Sequence, residues 1–314
     1  MKDKKIIVIS GPTASGKTSL AVNLAKKFDG EIISADSRQV YKGLDIGTGK
    51  DLQEYGDVKY HLIDICKPGE KFTLFDWLPL ARKKIDEIIS RKKLPIVVGG
   101  TGLYVKALIE GYEIKTQTSN LKSQNVKKYS REFLDKQSAE KLIRILKNLD
   151  ETVLEAIDQK NPRRLIRAIE IAEDGIKQTK SKPDFEILQL AINLPRDVLY
   201  QRIDQRVDNR FKEGMLDEVV NLMKKDVDIE WLHSLGLEYR IIGDFVTEKI
   251  NSESKISKTQ VFQDMAQELK WKSHAYARRQ LTWLRHQNKI HWVKNSFEAK
   301  EIIKKFLKQT KPSE

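Results

Sequence analysis

Apolar residues in this chain follow two periods in alternation, and the switches between them mark its elements. A β-branched run begins at Ile6 (IIVIS), and others cover Glu31–Ala35, Leu94–Val98 and Ile187–Leu194. Each is short and nearly continuously apolar, the pattern of strands buried on both faces of a parallel sheet. Lys59–Ile65 alternates and reads as a further strand. Between these runs the period lengthens: Leu20, Leu24 and Phe28 share one helical face, and Trp77, Leu80, Ala81, Ile85, Ile88 and Ile89 share another across Phe75–Ser90. Strands alternating with helices predict an α/β fold, a parallel sheet flanked by helices.

From Gly111 to Lys182 the strand signal disappears, leaving helical spacings such as Phe133, Leu142, Ile145, Leu146 and Leu149. This predicts an all-helical lobe, residues 112–182, inserted between a first part of the core (1–111) and a second part with C-terminal helices (183–314). The polar stretch Gln117–Tyr129 reads either as a connection or as a nucleic-acid-facing loop. Beyond the returning strand lie one long helix through LYQRIDQRVDNRFKEGMLDEVV, a mixed helical region Trp231–Ile250 broken at Gly236, the stretch Lys270–Arg285, and a plain amphipathic helix over Glu298–Leu307. Gly236 marks a close backbone approach or simply a helix end.

Charge narrows the partners. Among 314 residues, 58 Lys and Arg against 45 Asp and Glu give a net charge of +13, so nucleic acid is the leading expected partner, with a lysine-rich, simply solvated surface as the alternative. The single cysteine, Cys66, leaves no intramolecular disulfide and no cysteine zinc cluster. The start MKDKKIIVISG has too few apolar residues for a signal or a membrane span, so a soluble cytoplasmic protein is expected.

The chemistry concentrates where strands end. In GPTASGKT, Gly11, four residues, Gly16, Lys17 and Thr18 fit the P-loop spacing. Small residues at Thr13, Ala14 and Ser15 let successive backbone N–H groups turn onto phosphate oxygens, Lys17 adds a mobile charge, and the Thr18 hydroxyl can hold Mg2+. The following helix points its positive end at the anion. Asp36 closes the second strand, where open α/β sheets bind ligands, and reads as a base or metal partner, or else as a helix N-cap. Ser37, Arg38 and Gln39 beside it suit phosphates or base edges. The fourth strand opens into GGTGLY, which brings the Thr101 hydroxyl to the same edge, while Leu103 and Tyr104 read as core. His61 and Asp64 read as packed or solvent-facing strand residues. Arg163, Arg164 and Arg167 line one face of a helix opened by Pro162, suited to a phosphate backbone or simply to solvent. Arg202, Arg206 and Arg210 recur four apart and could face the phosphate site. In YARRQLTWLR, Arg278, Arg279 and Arg285 interleave with Tyr276 and Trp283, with Trp271 just upstream, a mixture suited to nucleic acid or to core packing.

Taken together, GPTASGKT, SADSRQVYKGLDIGTGK, GGTGLY, PRRLIRAIE, RIDQRVD and YARRQLTWLR resemble the tRNA dimethylallyltransferases, also called tRNA isopentenyltransferases, nearly end to end. The resemblance implies a P-loop NTPase-like fold and transfer of a dimethylallyl group from dimethylallyl diphosphate to N6 of the adenine 3′-adjacent to the tRNA anticodon, the base being flipped into a tunnel. The cradle Gly11–Thr18 would then hold diphosphate with Mg2+. Asp36 matches the residue that takes the amine proton, Thr101 the hydroxyl that positions the reacting groups, and Arg206 the basic residue at the diphosphate. Ser37, Arg38, Gln39, Arg163, Arg164, Arg167, Gly236, Arg278, Arg279, Gln280, Thr282 and Arg285 match positions that contact the anticodon stem-loop. A monomer and no membrane partner are expected. Lys160, Asn161 and Pro162 depart from the usual approach to the paired arginines, and Leu237 and Glu238 stand where Tyr and Lys are common. The rival readings are a P-loop kinase of a nucleoside or small molecule, an adenylate isopentenyltransferase, and an RNA-binding protein with a decayed site.

Overall fold

The computed structural model describes residues 4–113, 128–173, 181, 183–225, 227–249 and 260–309. The first unit holds β1 (Lys5–Ser10), α1 (Lys17–Phe28), β2 (Gly30–Ser34), β3 (Tyr60–His61), α2 (Leu74–Ser90), β4 (Leu94–Val98) and α3 (Gly102–Ile109). A second compact unit, Tyr112–Ser181, carries α4 (Arg131–Asp135), α5 (Ala139–Leu149), α6 (Glu151–Ala156) and α7 (Pro162–Glu173). The chain then completes the first unit with β5 (Glu186–Ile192), α8 (Arg196–Lys212), α9 (Met215–Met223), α10 (Ile229–Leu235), α11 (Leu237–Lys249), α12 (Gln260–Arg285), β6 (Ile290–Val293) and α13 (Ser296–Lys308).

The strands form one parallel sheet in the order β3-β2-β4-β1-β5-β6. β1 lies inside it, between β4 and β5, and the chain leaves it in one direction to reach β2 and returns on the other side to make β5. That reversal opens a crevice beyond the carboxyl ends of the strands. Ile7, Ile9, Leu24, Ile32, Ile96 and Leu190 pack one face of the sheet. A second core, including Val40, Leu44, Val207, Met215, Leu232, Tyr239 and Leu269, joins α8–α12 to the loop after β2. In the helical unit, Leu134, Leu142, Leu146, Leu165 and Ile169 form a separate core. Phe133 and Leu149 remain exposed there despite their helical spacing.

Several expectations change. The strand expected over Lys59–Ile65 pairs only at Tyr60 and His61, because Leu62 and Asp64 turn into the left-handed region. His61 places its Nε2 2.7 Å from buried Glu31, which also meets Arg91, while Asp64 pairs with Lys50. Leu103, read as core, is 56% exposed, because α3 turns its Tyr104 side inward to stack on Trp77. The single long helix expected after β5 breaks at Gly214, whose φ of 101° starts α9 afresh. β6 follows a helix too closely to show its own period, yet it pairs along β5. Gln117–Tyr129 falls, through residue 127, outside the described residues. Among the described residues, no helix is long and apolar enough to cross a membrane.

Candidate active site

The turn after β1 rises from a buried strand into α1 with Ala14 at φ 60° and Gly16 at φ 87°, a winding that aims backbone N–H groups inward. Lys17 donates from Nζ to the Pro12 carbonyl at 2.8 Å. Burial, reinforced by Arg206 and only partly offset by Asp36, pushes the Lys17 ammonium down to about 8. The Ser15 hydroxyl is buried without a hydrogen-bond partner among the described residues.

The ladder between β2 and β4 continues past both strands. Ala35 donates to the Val98 carbonyl at 2.7 Å, and Thr101 donates to the Ala35 carbonyl at 3.3 Å. Only glycine permits this approach at position 99, where a Cβ would stand 2.1 Å from the Ala35 oxygen. As a result, Thr101 Oγ1 accepts from the Ser37 amide at 3.0 Å, and Asp36 Oδ1 accepts from the Arg38 amide at 2.9 Å. The two strand ends thus present their hydroxyl and carboxylate side by side.

One cavity of about 570 Å³ joins these turns. Thr13, Ala14, Ser15, Gly16, Lys17 and Thr18 line one side; Asp36, Ser37, Arg38 and Gln39 line another, with Thr101 beside them. Arg202, Arg206 and Arg210 all face it from α8, so the four-residue spacing works as a single arginine face. Arg206 Nη1 donates to Thr13 Oγ1 at 3.2 Å, and its Nη2 lies 3.8 Å from Asp51 Oδ2. Among the described residues there is no cluster of three or more His, Cys, Asp or Glu able to hold a metal. A metal here would therefore be held by the Thr18 hydroxyl, substrate oxygens and water, a set that fits Mg2+, which keeps much of its hydration shell.

The arginines and amides matched to RNA divide in the structure. Arg38 is committed inward: its Nη1 lies 2.7 Å from Glu238, and its guanidinium fills the space that a Cβ on Gly236 would take. Gly236 is therefore both a helix end, at φ 109°, and a close approach. Gln280 accepts from the Thr13 amide at 2.8 Å and donates to the Gly100 carbonyl at 3.2 Å, which ties the P-loop to the turn after β4. Trp283 packs on Gly102, whereas Trp271 is 65% exposed. Arg278, Arg279, Thr282 and Arg285 are exposed along α12, with Arg278 donating to the Tyr200 phenol at 2.7 Å. In the helical unit, Arg163, Arg164 and Arg167 are exposed on α7; Arg164 lies 3.9 Å from Asp158, and Arg167 donates to Glu170.

Two acids have roles that the sequence does not reveal, Glu238, noted above only as a departure from the family pattern, and Glu218. Glu238 sits between Arg38 and Arg210; burial opposes its charge, but the two guanidiniums prevail and hold the carboxyl below its ordinary value. Glu218 grips the loop after β2, and no spacing in the sequence announces it. The one partial signal was the pair Gly47 and Gly49, since a glycine can mark a close approach of the backbone, and a Cβ on Gly47 would stand 2.7 Å from Tyr239 and 3.1 Å from Glu218 Oε1; it does not point to Glu218 itself.

A P-loop at the head of a parallel sheet, with a carboxylate, a hydroxyl and an arginine face around one crevice, defines an α/β transferase that handles phosphorylated substrates. More narrowly, the chain belongs to the IPP transferase family, whose model matches residues 39–287; a model described as isopentenyl transferase matches residues 4–57. The chain is 42% identical over 303 residues to tRNA dimethylallyltransferase 2 of Shewanella sediminis (strain HAW-EB3), covering 94% of this chain and 95% of that protein. It is 41% identical over 300 residues to tRNA dimethylallyltransferase 2 of Treponema denticola, covering 91% and 95%. Among solved structures it is similar to the full-length tRNA isopentenylpyrophosphate transferase of Bacillus halodurans, 32% identical with a TM-score of 0.67 over 97% of this chain and 95% of that one. It is also similar to a eukaryotic dimethylallyltransferase captured acting on tRNA, 25% identical with a TM-score of 0.78 over 98% and 81%.

Proposed function

We propose that this protein transfers the dimethylallyl group of dimethylallyl diphosphate to N6 of the adenine 3′-adjacent to the tRNA anticodon and releases diphosphate. The observation that carries the reading is the convergence of the P-loop, Asp36, Thr101 and Arg206 on one cavity in a chain of this family. The P-loop amides and Lys17 bind the diphosphate, while Arg206 balances the charge that builds on its leaving oxygen. Thr101, aligned by the Ser37 amide, orients the incoming amine. As N6 bonds to C1 of the dimethylallyl group, the C1–O bond breaks with its electrons going to diphosphate, and Asp36 accepts the N6 proton. Bound at Thr18 and the substrate oxygens, Mg2+ would supply further neutralisation of the leaving group.

The adenine must leave its stack, which costs on the order of a few kcal/mol. The exposed arginines of α12 and α7 support contacts with tRNA phosphates that repay this cost, and the net charge of +13 supports attraction to RNA. We assign the helical unit to RNA binding on the same grounds. Every residue named in the reaction lies on one chain, so a monomer suffices.

The test combines purified protein, Mg2+, unmodified tRNA and labelled dimethylallyl diphosphate. Label is expected on N6 of the adenine with equimolar diphosphate release, and Asp36→Ala lowers turnover by about 10²- to 10⁴-fold while tRNA retention on filters persists. Label absent from tRNA, with phosphoryl transfer to a nucleoside or small-molecule acceptor in a parallel reaction supplied with ATP, would instead support the kinase reading.

A further inference from the structure

We infer that Glu218 is a positioning residue for the diphosphate site, acting through the loop Asp45–Gly49 to fix the guanidinium groups of Arg206 and Arg210. The inference rests on the proposed diphosphate cradle. Glu218 lies on α9 and is not among the residues that line the cavity. Its carboxylate accepts four hydrogen bonds: Oε2 from the amides of Asp45 at 2.7 Å and Ile46 at 2.8 Å, Oε1 from the Gly47 amide at 2.9 Å and the Tyr239 hydroxyl at 2.8 Å. Three successive amides turned onto one anion form a nest of the kind that binds phosphates, and here the chain supplies the anion itself. Tyr239 is fully buried; burial and the facing Glu218 carboxylate push its phenol well above its ordinary value, so it remains a donor.

The other surface of this loop bears on the arginines. The Gly47 carbonyl accepts from Arg210 Nη1 at 3.1 Å. Gly49 has φ 61°, and a Cβ there would stand 1.8 Å from Arg210 Nη2 and 1.9 Å from Arg206 Nη2, so both guanidiniums rest against bare backbone. The ends of the loop are pinned as well: Gln39 donates to the Gly49 carbonyl at 3.0 Å, and the buried Lys50 ammonium donates to the Tyr41 carbonyl at 2.8 Å and meets Asp45 and Asp64. At Gly47 one backbone thickness separates the Glu218 carboxylate from Arg210, and Arg206 rests two residues further along the same loop, at Gly49.

This support matters because the arginines oppose each other. Arg210 is only 7% exposed, and burial together with Arg206 pushes its guanidinium down to about 10, so it stays charged at neutral pH. Two like charges held side by side out of water separate unless a scaffold or an anion restrains them. Arg210 Nη2 is buried, borders the cavity and has no hydrogen-bond partner among the described residues, which makes it a donor ready for a diphosphate oxygen. Without Glu218, three amides lose their acceptor, the Gly47 carbonyl retreats from Arg210, and the pair spreads before substrate arrives.

The experiment is calorimetric titration of inorganic pyrophosphate into wild type, Glu218→Gln, Arg210→Ala and the double variant, all with Mg2+, alongside steady-state kinetics. Glu218→Gln is expected to weaken pyrophosphate binding by about tenfold or more, on the scale of other outer-layer partners. KM for dimethylallyl diphosphate rises in step while KM for tRNA stays unchanged. In the Arg210→Ala background the Glu218→Gln effect shrinks, which a merely structural role would not produce. Unaltered pyrophosphate binding in Glu218→Gln, or equal losses in both backgrounds, overturns the inference. Should Glu218→Gln fail to fold, Tyr239→Phe removes one of the four bonds and is expected to weaken binding by about threefold, with no change again overturning it. A wild type that binds pyrophosphate but leaves tRNA unmodified would overturn the proposed reaction and leave this inference standing.

Discussion

Replacing Gly99 by alanine tests how the crevice is built. The added Cβ would lie 2.1 Å from the Ala35 carbonyl oxygen, 2.4 Å from its carbon and 2.8 Å from its Cα. These are all backbone atoms, so no rotamer change relieves the overlap. An ordinary carbon–oxygen contact is about 3.3 Å, so the ends of β2 and β4 must part by roughly 1 Å. Two hydrogen bonds cross that seam, from Ala35 to Val98 and from Thr101 to Ala35. With each worth about 1 kcal/mol net and more when a buried group is left unpaired, Gly99→Ala should cost about 2–4 kcal/mol. It should also carry Thr101 away from Ser37 and Asp36, and a 1 Å misplacement of a reacting constellation lowers turnover by about 100-fold. Urea denaturation followed by circular dichroism reads the first effect and prenyl transfer to tRNA reads the second. Gly100→Ala is the milder comparison, because its Cβ would meet no backbone but the Gln280 side-chain amide at 3.0 Å, so it strains the Gln280 tie without forcing β2 and β4 apart. Wild-type stability and turnover in Gly99→Ala, or equal damage in Gly100→Ala, would refute the argument.

Lys17 gives a pH signature: with its ammonium pushed down to about 8 in the free protein, diphosphate must draw a proton onto it above that pH. Pyrophosphate affinity should therefore fall as pH rises through 8 to 10, with proton uptake visible as a dependence of the binding heat on buffer; a flat profile counts against burial of the lysine. Glu238→Gln leaves Arg38 and Arg210 facing a neutral amide and should lower stability by about 1–3 kcal/mol in thermal melts. In an Arg38→Ala background that loss should diminish, and full additivity would disprove the pair. Thr18→Val, which keeps the shape and removes the hydroxyl, should raise the Mg2+ concentration needed for half-maximal turnover without altering tRNA retention on filters.

The parallel sheet was legible because its strands are buried on both faces and so read as continuous apolar runs. The P-loop was legible because its chemistry is local: Gly11 to Thr18 are neighbours in sequence as well as in space. Asp36 and Thr101 could be placed at one edge because each follows the carboxyl end of a strand expected to be parallel, and the observed order sets those two strands side by side. What escaped notice was the set of contacts that depends on elements far apart in sequence. Arg38 looked free to touch RNA until α11 brought Glu238 to it, and Gln280 looked like part of a basic strip until α12 set its amide between Thr13 and Gly100. Glu218 has the spacing of any exposed helical acid, and only the loop Asp45–Gly47 lying across it shows otherwise. Leu103 failed in the opposite sense, because an apolar residue early in a helix can face solvent when its neighbour Tyr104 takes the inward position.

The commitment of Arg38 bears directly on how Asp36 can act. The two residues are near neighbours on one turn, and a guanidinium folded back onto the carboxylate would make a strong charge-assisted pair. Such a pair would occupy the lone pairs that a proton acceptor needs. Instead, among the described residues Asp36 Oδ1 receives the Arg38 backbone amide, at 2.9 Å, which orients the carboxylate, while the Arg38 guanidinium turns away to Glu238 at 2.7 Å. Gly236 makes that turn possible, since any side chain there would collide with the guanidinium. Glu238 also faces Arg210, so a single buried acid draws one cation away from the proposed base Asp36 and pairs with another on the side of the proposed diphosphate cradle. The cavity thereby keeps its positive charge where the leaving group would sit and leaves its carboxylate available where the amine would arrive.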